Sequence, residues 1–325
     1  MNATAGVPLA SVVRSGLVES VHSGHLLVRG PQDDVLVLGE VDAAIWPRSA
    51  LKPLQAVALL RAGLDVDEEG LALAAASHEG TAVHLAVVRR VLAGAGLTDA
   101  DLRNTPDLPL GLDAAAAWRA AGHGSAGVTQ NCSGKHAAML ATCVQAGWDT
   151  DSYLDPEHPL QRGVRATVED LTGVPVELVG VDGCGAALFS TTLRGLARAF
   201  ARIATAPPGT DEARVAAAVA AHPVLIGGPH RDVTAVLDAV PGILAKDGAD
   251  GVFAAALPDG SSMALKVADG GARPVRAIVA DALLHLVPIE RHEAVRAMGR
   301  TAVLGHGEPV GEIVSVLRPA AVAAP

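Results

Sequence analysis

Aromatic side chains are almost missing: three Trp, three Phe and one Tyr make up 2% of the 325 residues. Half the chain is hydrophobic all the same, so Ala, Val and Leu must fill any interior. Cysteine is scarce too, and three copies, an odd number, do not describe a disulfide framework. Basic residues are outnumbered, with 25 Lys and Arg against 35 Asp and Glu, for a formal charge of −10. An acidic chain with few rings argues against a nucleic-acid surface. No apolar run reaches the length of a membrane span, because charge, Gly or Pro interrupts each one. The opening MNATAGVPLASVVRSGLVES has no basic start followed by a long apolar core, so no signal peptide is expected. Together these absences point to a cytoplasmic protein that works on neither nucleic acid nor membrane.

What is present has an order. SVVRSGLVES, GHLLVRG and DVLVLGEV, within the first forty-odd residues, are Val- and Leu-rich runs broken by Gly, Ser, Pro or Asp, and they read as strands. From SALKPLQAVALLRAGL onward apolar residues recur at three- and four-residue spacing, and several such segments stop at Gly, as helices do. VELVGV is a strand among them. Strand signals return in GILAKDG, GVFAAALP and SMALKVADGG, followed by a helix in PVRAIVADALLHLV and a last strand in VGEIVSVLRP. Strands at both ends and helices between predict an α+β fold, with an antiparallel sheet built from N- and C-terminal strands plus a central helical region. The expected organisation is a single catalytic unit over residues 1–325, with a sheet subregion near 1–48 and 240–325 and a helical subregion near 49–239. The tail AAVAAP is expected to fray.

Four segments carry candidate chemistry. In PRSALKPLQ, Ser49 precedes Lys52 by three residues, which puts both on one face of a helix start. A Lys there can take the Ser proton if burial lowers its pKa. The same spacing also describes an N-cap Ser with a solvated Lys. In AAASHEGTAVH an abrupt break could expose Ser77 at a cleft, or Ser77 could cap the helix that follows. In QNCSGKHAAML, Cys132, Lys135 and His136 stand where a Gly-containing loop becomes a helix, a place that favours a thiolate. GVDGCGAA sets Asp182 and Cys184 between glycines, and two Cys on tight loops with Asp and His nearby could bind a borderline-soft metal such as zinc. The spacing matches no standard zinc pattern, and a free Cys is also a common small core residue. Cys143 lies eleven residues after Cys132, roughly 16 Å along a helix, too far to share one ion. In ALKVADGG, Lys266 is either an edge charge on a strand or a buried functional amine.

RSALKPLQA, SHEG, NCSGKHAAML, HPLQ, VDGCG, AKDGADGV and ALKVADG, in this order, resemble the bacterial thermolabile asparaginases typified by the inducible rhizobial enzyme, from about Val12 to Arg276. Glu79 stands one place earlier than the usual acid of that family, and Gln130–Asn131 replaces its doubled Asn. The resemblance implies a serine β-lactamase/glutaminase-like fold, a homodimer, and hydrolysis of L-asparagine to L-aspartate and ammonia through a Ser acyl-enzyme. It implies Ser49 as nucleophile with Lys52 as its base, and a second pair made by Ser77 and Lys266. It implies a zinc ion on Cys132, Lys135 and Cys184, with Asp182 holding a metal-bound water. Arg48, Asp182 and His136 are expected on the substrate side. Three rivals stand beside this expectation. A glutaminase or related amidohydrolase differs only in substrate. A serine β-lactamase shares S-x-x-K, but S-x-N and K-T-G are lacking. A zinc-binding protein that has lost catalysis would release no ammonia from any amide.

Overall fold

A computed structural model describes residues 6–317, so the AAVAAP tail lies outside the described residues. The chain opens with β1 (Val7–Arg14), β2 (Leu17–Arg29) and β3 (Asp34–Leu38). The sequence pattern suggested one strand across residues 11–20, but the chain reverses there. Ser15 and Gly16 adopt φ of 48° and 83°, and positive φ at both central residues makes the tight turn that suits a twisted hairpin. Leu17 therefore pairs with Arg14.

A short β4 (Ala44–Ile45) leads into a 3-10 turn over Arg48–Leu51 and then α1 (Lys52–Arg61). The helical middle follows as α2 (Glu68–Ala74), α3 (Ala82–Gly94), α4 (Leu112–Ala120), α5 (Ser133–Ala146) and α6 (Pro159–Thr172). Short strands β5 (Val179–Val181), β6 (Ala187–Phe189) and β7 (Thr191–Thr192) interrupt it before α7 (Leu193–Ala204), α8 (Asp211–Ala221), α9 (Pro223–Ile226) and α10 (Asp232–Ala239). The chain then returns to the sheet with β8 (Leu244–Gly248), β9 (Val252–Ala256) and β10 (Ser262–Val267). It ends through α11 (Val275–Leu283), α12 (His292–Gly299), β11 (Ala302–Gly305) and β12 (Glu308–Ser315).

The main sheet runs β11-β12-β1-β2-β10-β9-β8, with β3 also paired to β2. Every pairing is antiparallel, and strands from the two chain ends interleave: β12 lies on β1 and β10 on β2. This is the α+β architecture that the strand–helix–strand order predicts. β9 is buried at all five positions and β10 at all but Lys266, so both faces of the central sheet are covered. Helices α7 and α11 each pack on β9 and β10. In α7 the residues Leu193, Leu196, Phe200 and Ile203 turn inward, while Arg194, Arg198 and Arg202 bond outward to Asp42, the Thr172 carbonyl and Asp170. Its apolar stripe and its arginine stripe are each spaced three to four residues apart, as one helix face requires. The sheet's β8 end and the start of α1 meet at Gly248, where an added Cβ would stand 2.7 Å from the Pro47 carbonyl. That close approach brings the two halves of the chain together at Ser49.

Candidate active site

The turn before α1 is held in an unusual shape. Arg48 has a φ of 51°, a left-handed conformation that costs a residue with a Cβ roughly 1–2 kcal/mol. Two ion pairs hold it: Arg48 Nε donates to Asp182 Oδ1 at 2.8 Å, and Nη1 pairs with Asp250. Ser49 does not cap a helix, because neither the 3-10 turn nor α1 has a side-chain cap. Nor is Lys52 solvated; it is 1% exposed. Both features of the ordinary helix-start reading are therefore missing.

Lys52 Nζ donates to Ser77 Oγ at 3.0 Å and to the Ala76 carbonyl, and it lies 3.2 Å from Cys132 Sγ. Ser77 is not a cap either. Thr81, with His84, closes the start of α3, while the Ser77 N–H donates to the Ile226 carbonyl at 2.9 Å. Ser49 and Ser77 open onto one cavity of about 360 Å³. The amine and the two hydroxyls are thus gathered, but the hydrogen bond runs from Lys52 to Ser77. Lys266, at the edge of β10, donates instead to the Asp250 carbonyl at 2.7 Å and to the Val267 carbonyl. Burial lowers the pKa of its amine, Asp250 and Asp269 oppose that shift, and Arg48 adds to it.

A second cluster lies behind Lys52. Gly134 lets α5 press on α2, since a Cβ there would stand 2.5 Å from the Leu73 carbonyl. The approach seats Cys132 beside Lys52. Lys135 Nζ, 2% exposed as a residue, donates to Cys184 Sγ at 3.2 Å. A hydrogen bond from Cys132 pulls the Cys184 thiol well below its ordinary pKa, against burial and with help from Lys135. The same bond, with burial, pushes the Cys132 thiol up. Lys135 and Arg48 hold the Asp182 carboxyl below the usual carboxylate range although burial raises it. Two sulfurs and one amine nitrogen therefore converge with one sulfur favoured as thiolate, a donor set that suits a borderline-soft ion. Among the described residues no group of three His, Cys, Asp or Glu gathers in this way; the cluster depends on the lysine. His136 sits elsewhere. It is fully buried, its Nδ1 is 2.8 Å from the Tyr153 hydroxyl, and it does not line the cavity.

The cavity's far wall comes from segments to which the sequence assigned no role. Arg231, Asp232, Asp247 and Asp250 all line it. Lys246, completely buried, donates to the Asp247 carboxylate and to its carbonyl, and Arg231 Nη2 donates to Asp247 Oδ2 at 2.8 Å. Burial pushes the Lys246 amine down, while Lys246 and Arg231 together outweigh burial and hold Asp247 ionised. AKDGADGV is among the motifs of the resemblance and PHRDVT carries a charged pair, but neither stretch assigned a role to these residues, since charged pairs ordinarily read as solvated loops.

A cavity edged by two hydroxyls, with a buried amine behind one and paired charges opposite, describes a hydrolase. A family profile described as L-asparaginase II matches residues 10–315, and the chain belongs to that family of asparaginase-type amidohydrolases. No curated protein matches the chain closely. Among solved structures, it is similar to a β-lactamase from Mycobacterium bovis, at 15% identity over 85% of this chain and 94% of that one, with a TM-score of 0.42. It is also similar to a hydrolase with promiscuous acyltransferase activity, at 13% identity over 80% and 93% of the two chains, with a TM-score of 0.43. Among the described residues no helix is long and apolar enough to cross a membrane.

Proposed function

We propose that the protein is an L-asparaginase that works through a serine acyl-enzyme. One observation carries this reading: Ser49 and Ser77 share a cavity, and buried Lys52 stands behind it in hydrogen bond with Ser77. Ser49 Oγ attacks the side-chain amide carbon, and its proton passes to Lys52. Backbone N–H groups beside Ser49 steady the oxyanion. The C–N bond breaks as the protonated amine returns its proton to the leaving ammonia. Water then cleaves the ester by the reverse proton path, giving aspartate. Lys266, whose amine donates to the carbonyl of Asp250, has no step in this reading. The Lys52–Ser77 bond favours one variant of the reading, in which Ser77 is the nucleophile and Ser49 positions the substrate.

Cys132, Lys135 and Cys184 would hold a zinc ion. Such an ion would supply a fixed positive charge for positioning substrate near Asp182. The chain's own part is to keep Cys184 deprotonated and to screen the cluster from water.

The test is ammonia release from L-asparagine and L-glutamine, amine release from β-aspartyl compounds and ring opening of nitrocefin read by its colour change, with peptide mapping of the acyl adduct formed from an activated asparagine analogue. Release from asparagine with the adduct on Ser49 is the expected result. An adduct on Ser77 selects the variant reading. Turnover of nitrocefin alone, or of nothing, overturns the proposal.

A further inference from the structure

We infer that Arg231 and Asp232 together read the zwitterionic head of an amino-acid substrate, Arg231 taking the α-carboxylate and Asp232 the α-ammonium. The inference rests on the asparaginase reading for the identity of the amino acid, but its own observations concern charge. Among the described residues Arg231 alone of the Arg and Lys side chains lines the cavity, against three carboxylates from Asp232, Asp247 and Asp250. Two of those carboxylates are already matched. Asp247 is held by Lys246 and Arg231, and Asp250 by Arg48. Among the described residues Asp232 makes no side-chain hydrogen bond: Arg276 is at 3.7 Å, beyond hydrogen-bond reach, and Arg231 adds a weaker pull that the neighbouring Asp247 opposes. Asp232 is the under-neutralised anion of the cavity, and burial in that state pushes its carboxyl's pKa up. An ammonium group beside it would relieve that condition.

Arg231 is the complementary case. Among the described residues its one side-chain hydrogen bond is to Asp247, its Nε is enclosed without a partner, and about a third of the side chain is exposed. A guanidinium has five N–H donors in a rigid fork, so most of its capacity is unspent. Asp247 fixes one edge of the fork, and Lys246, behind it, fixes Asp247. With Nε enclosed and Nη2 on Asp247, the Nη1 end of the fork is thereby left preorganised for a second carboxylate. An α-amino acid bears its two charges on a single carbon, so the two readers must be adjacent. Consecutive residues at the start of α10 meet that demand.

The two halves of the head group can be removed separately from the product. Succinate is aspartate without the ammonium, and β-alanine is aspartate without the α-carboxylate. Calorimetric titration of the full-length protein with L-aspartate, succinate and β-alanine measures both contributions without turnover. Wild type is expected to prefer aspartate to each by about 10- to 100-fold, the range for a charge-assisted hydrogen-bonded contact. Asp232→Asn should erase the preference over succinate and keep that over β-alanine. Arg231→Gln should do the converse, with Arg231→Lys, which keeps the charge beside Asp247, as the better-folded check. Equal weakening toward all three ligands, or no wild-type preference, overturns the inference. Head-group selectivity without ammonia release from asparagine would sustain it while removing the catalytic reading.

Discussion

Replacing Lys52 by Met should separate activity from stability. The side chain is 1% exposed and meets the Ala76 carbonyl, Ser77 Oγ at 3.0 Å and Cys132 Sγ at 3.2 Å. Methionine fills a similar volume, so no large cavity forms. The loss leaves one buried carbonyl without its donor, at about 1–3 kcal/mol. Against that, a polar amine no longer has to be buried, which relieves a desolvation cost of the same order, about 1–3 kcal/mol. The two effects are of similar size and opposite sign, so folding stability should change by no more than about 1–2 kcal/mol. In a chain of this length that is a Tm shift within roughly 8 °C. Activity has no such offset: removing a proton acceptor from a serine should lower kcat about 10²- to 10⁴-fold. Coupled ammonia release and scanning calorimetry on the same preparation give both numbers. Ammonia release within fivefold of wild type would refute the assignment of Lys52 as the base. A collapse of Tm by tens of degrees would instead make it a structural lysine.

Gly248→Ala should act on the same turn from the other side. Its new Cβ would lie 2.7 Å from the Pro47 carbonyl and 3.3 Å from the Ala50 nitrogen, costing about 1–3 kcal/mol by overpacking, and a fall in kcat/KM with the lowered Tm is expected; unchanged kinetics would mean that the turn does not set Ser49. His78 and His84 are buried, and burial lowers the pKa of both below 6.5. The unfolded chain therefore binds protons near pH 6.5 that the folded chain refuses. Stability is full above that pH and falls as pH drops toward the folded pKa values, by up to about 1.4 kcal/mol per pH unit for each histidine; chemical denaturation from pH 7.5 to 5.5 measures it, and a flat profile contradicts the burial. Cys184→Ser should remove the bound metal found by elemental analysis of wild type, and wild-type protein without metal after purification in zinc would end the zinc proposal.

The strand–helix–strand order was legible because both periodicities are strong where the chain is amphipathic, as in α7. The errors have local causes. The hairpin at Ser15–Gly16 was hidden because Val and Leu flank it on both sides and mask the turn. Helix α2 shows no period in the sequence, because residues 70–76 are buried throughout and leave no polar face. Strand β11 is four residues long, too short to alternate convincingly. At the site, Ser49, Lys52 and Ser77 stood out as residue types, and the cavity gathers the two hydroxyls in front of the amine. Which amine would meet which hydroxyl was not legible. That depends on α1 packing beside the end of α2, whereas Lys266 is held at the strand edge by the Asp250 carbonyl. Arg231 and Asp232 were legible only as a loose form of an Arg-Asp pattern in HPVLIGGPHRDVT, with no role attached, because charge on a loop looks the same whether it faces water or a cavity.

The interleaving of the sheet also sets a timetable. Ala10 pairs with Ser315, about 300 residues later, and at ribosomal speeds the two emerge about 15–60 s apart. Throughout that interval the outer edge of the N-terminal hairpin has no partner, and an unpaired edge strand is a template for aggregation. The segments that carry Ser49 and Ser77 leave the ribosome early, yet Asp250, which pairs with Arg48 beside Ser49, emerges only with the returning strands. A nascent chain can thus hold most of its helices and still lack a working pocket. Synthesis stalled before β12 would yield a protein with its chemistry assembled and its sheet open, dependent on chaperones until the last strand arrives.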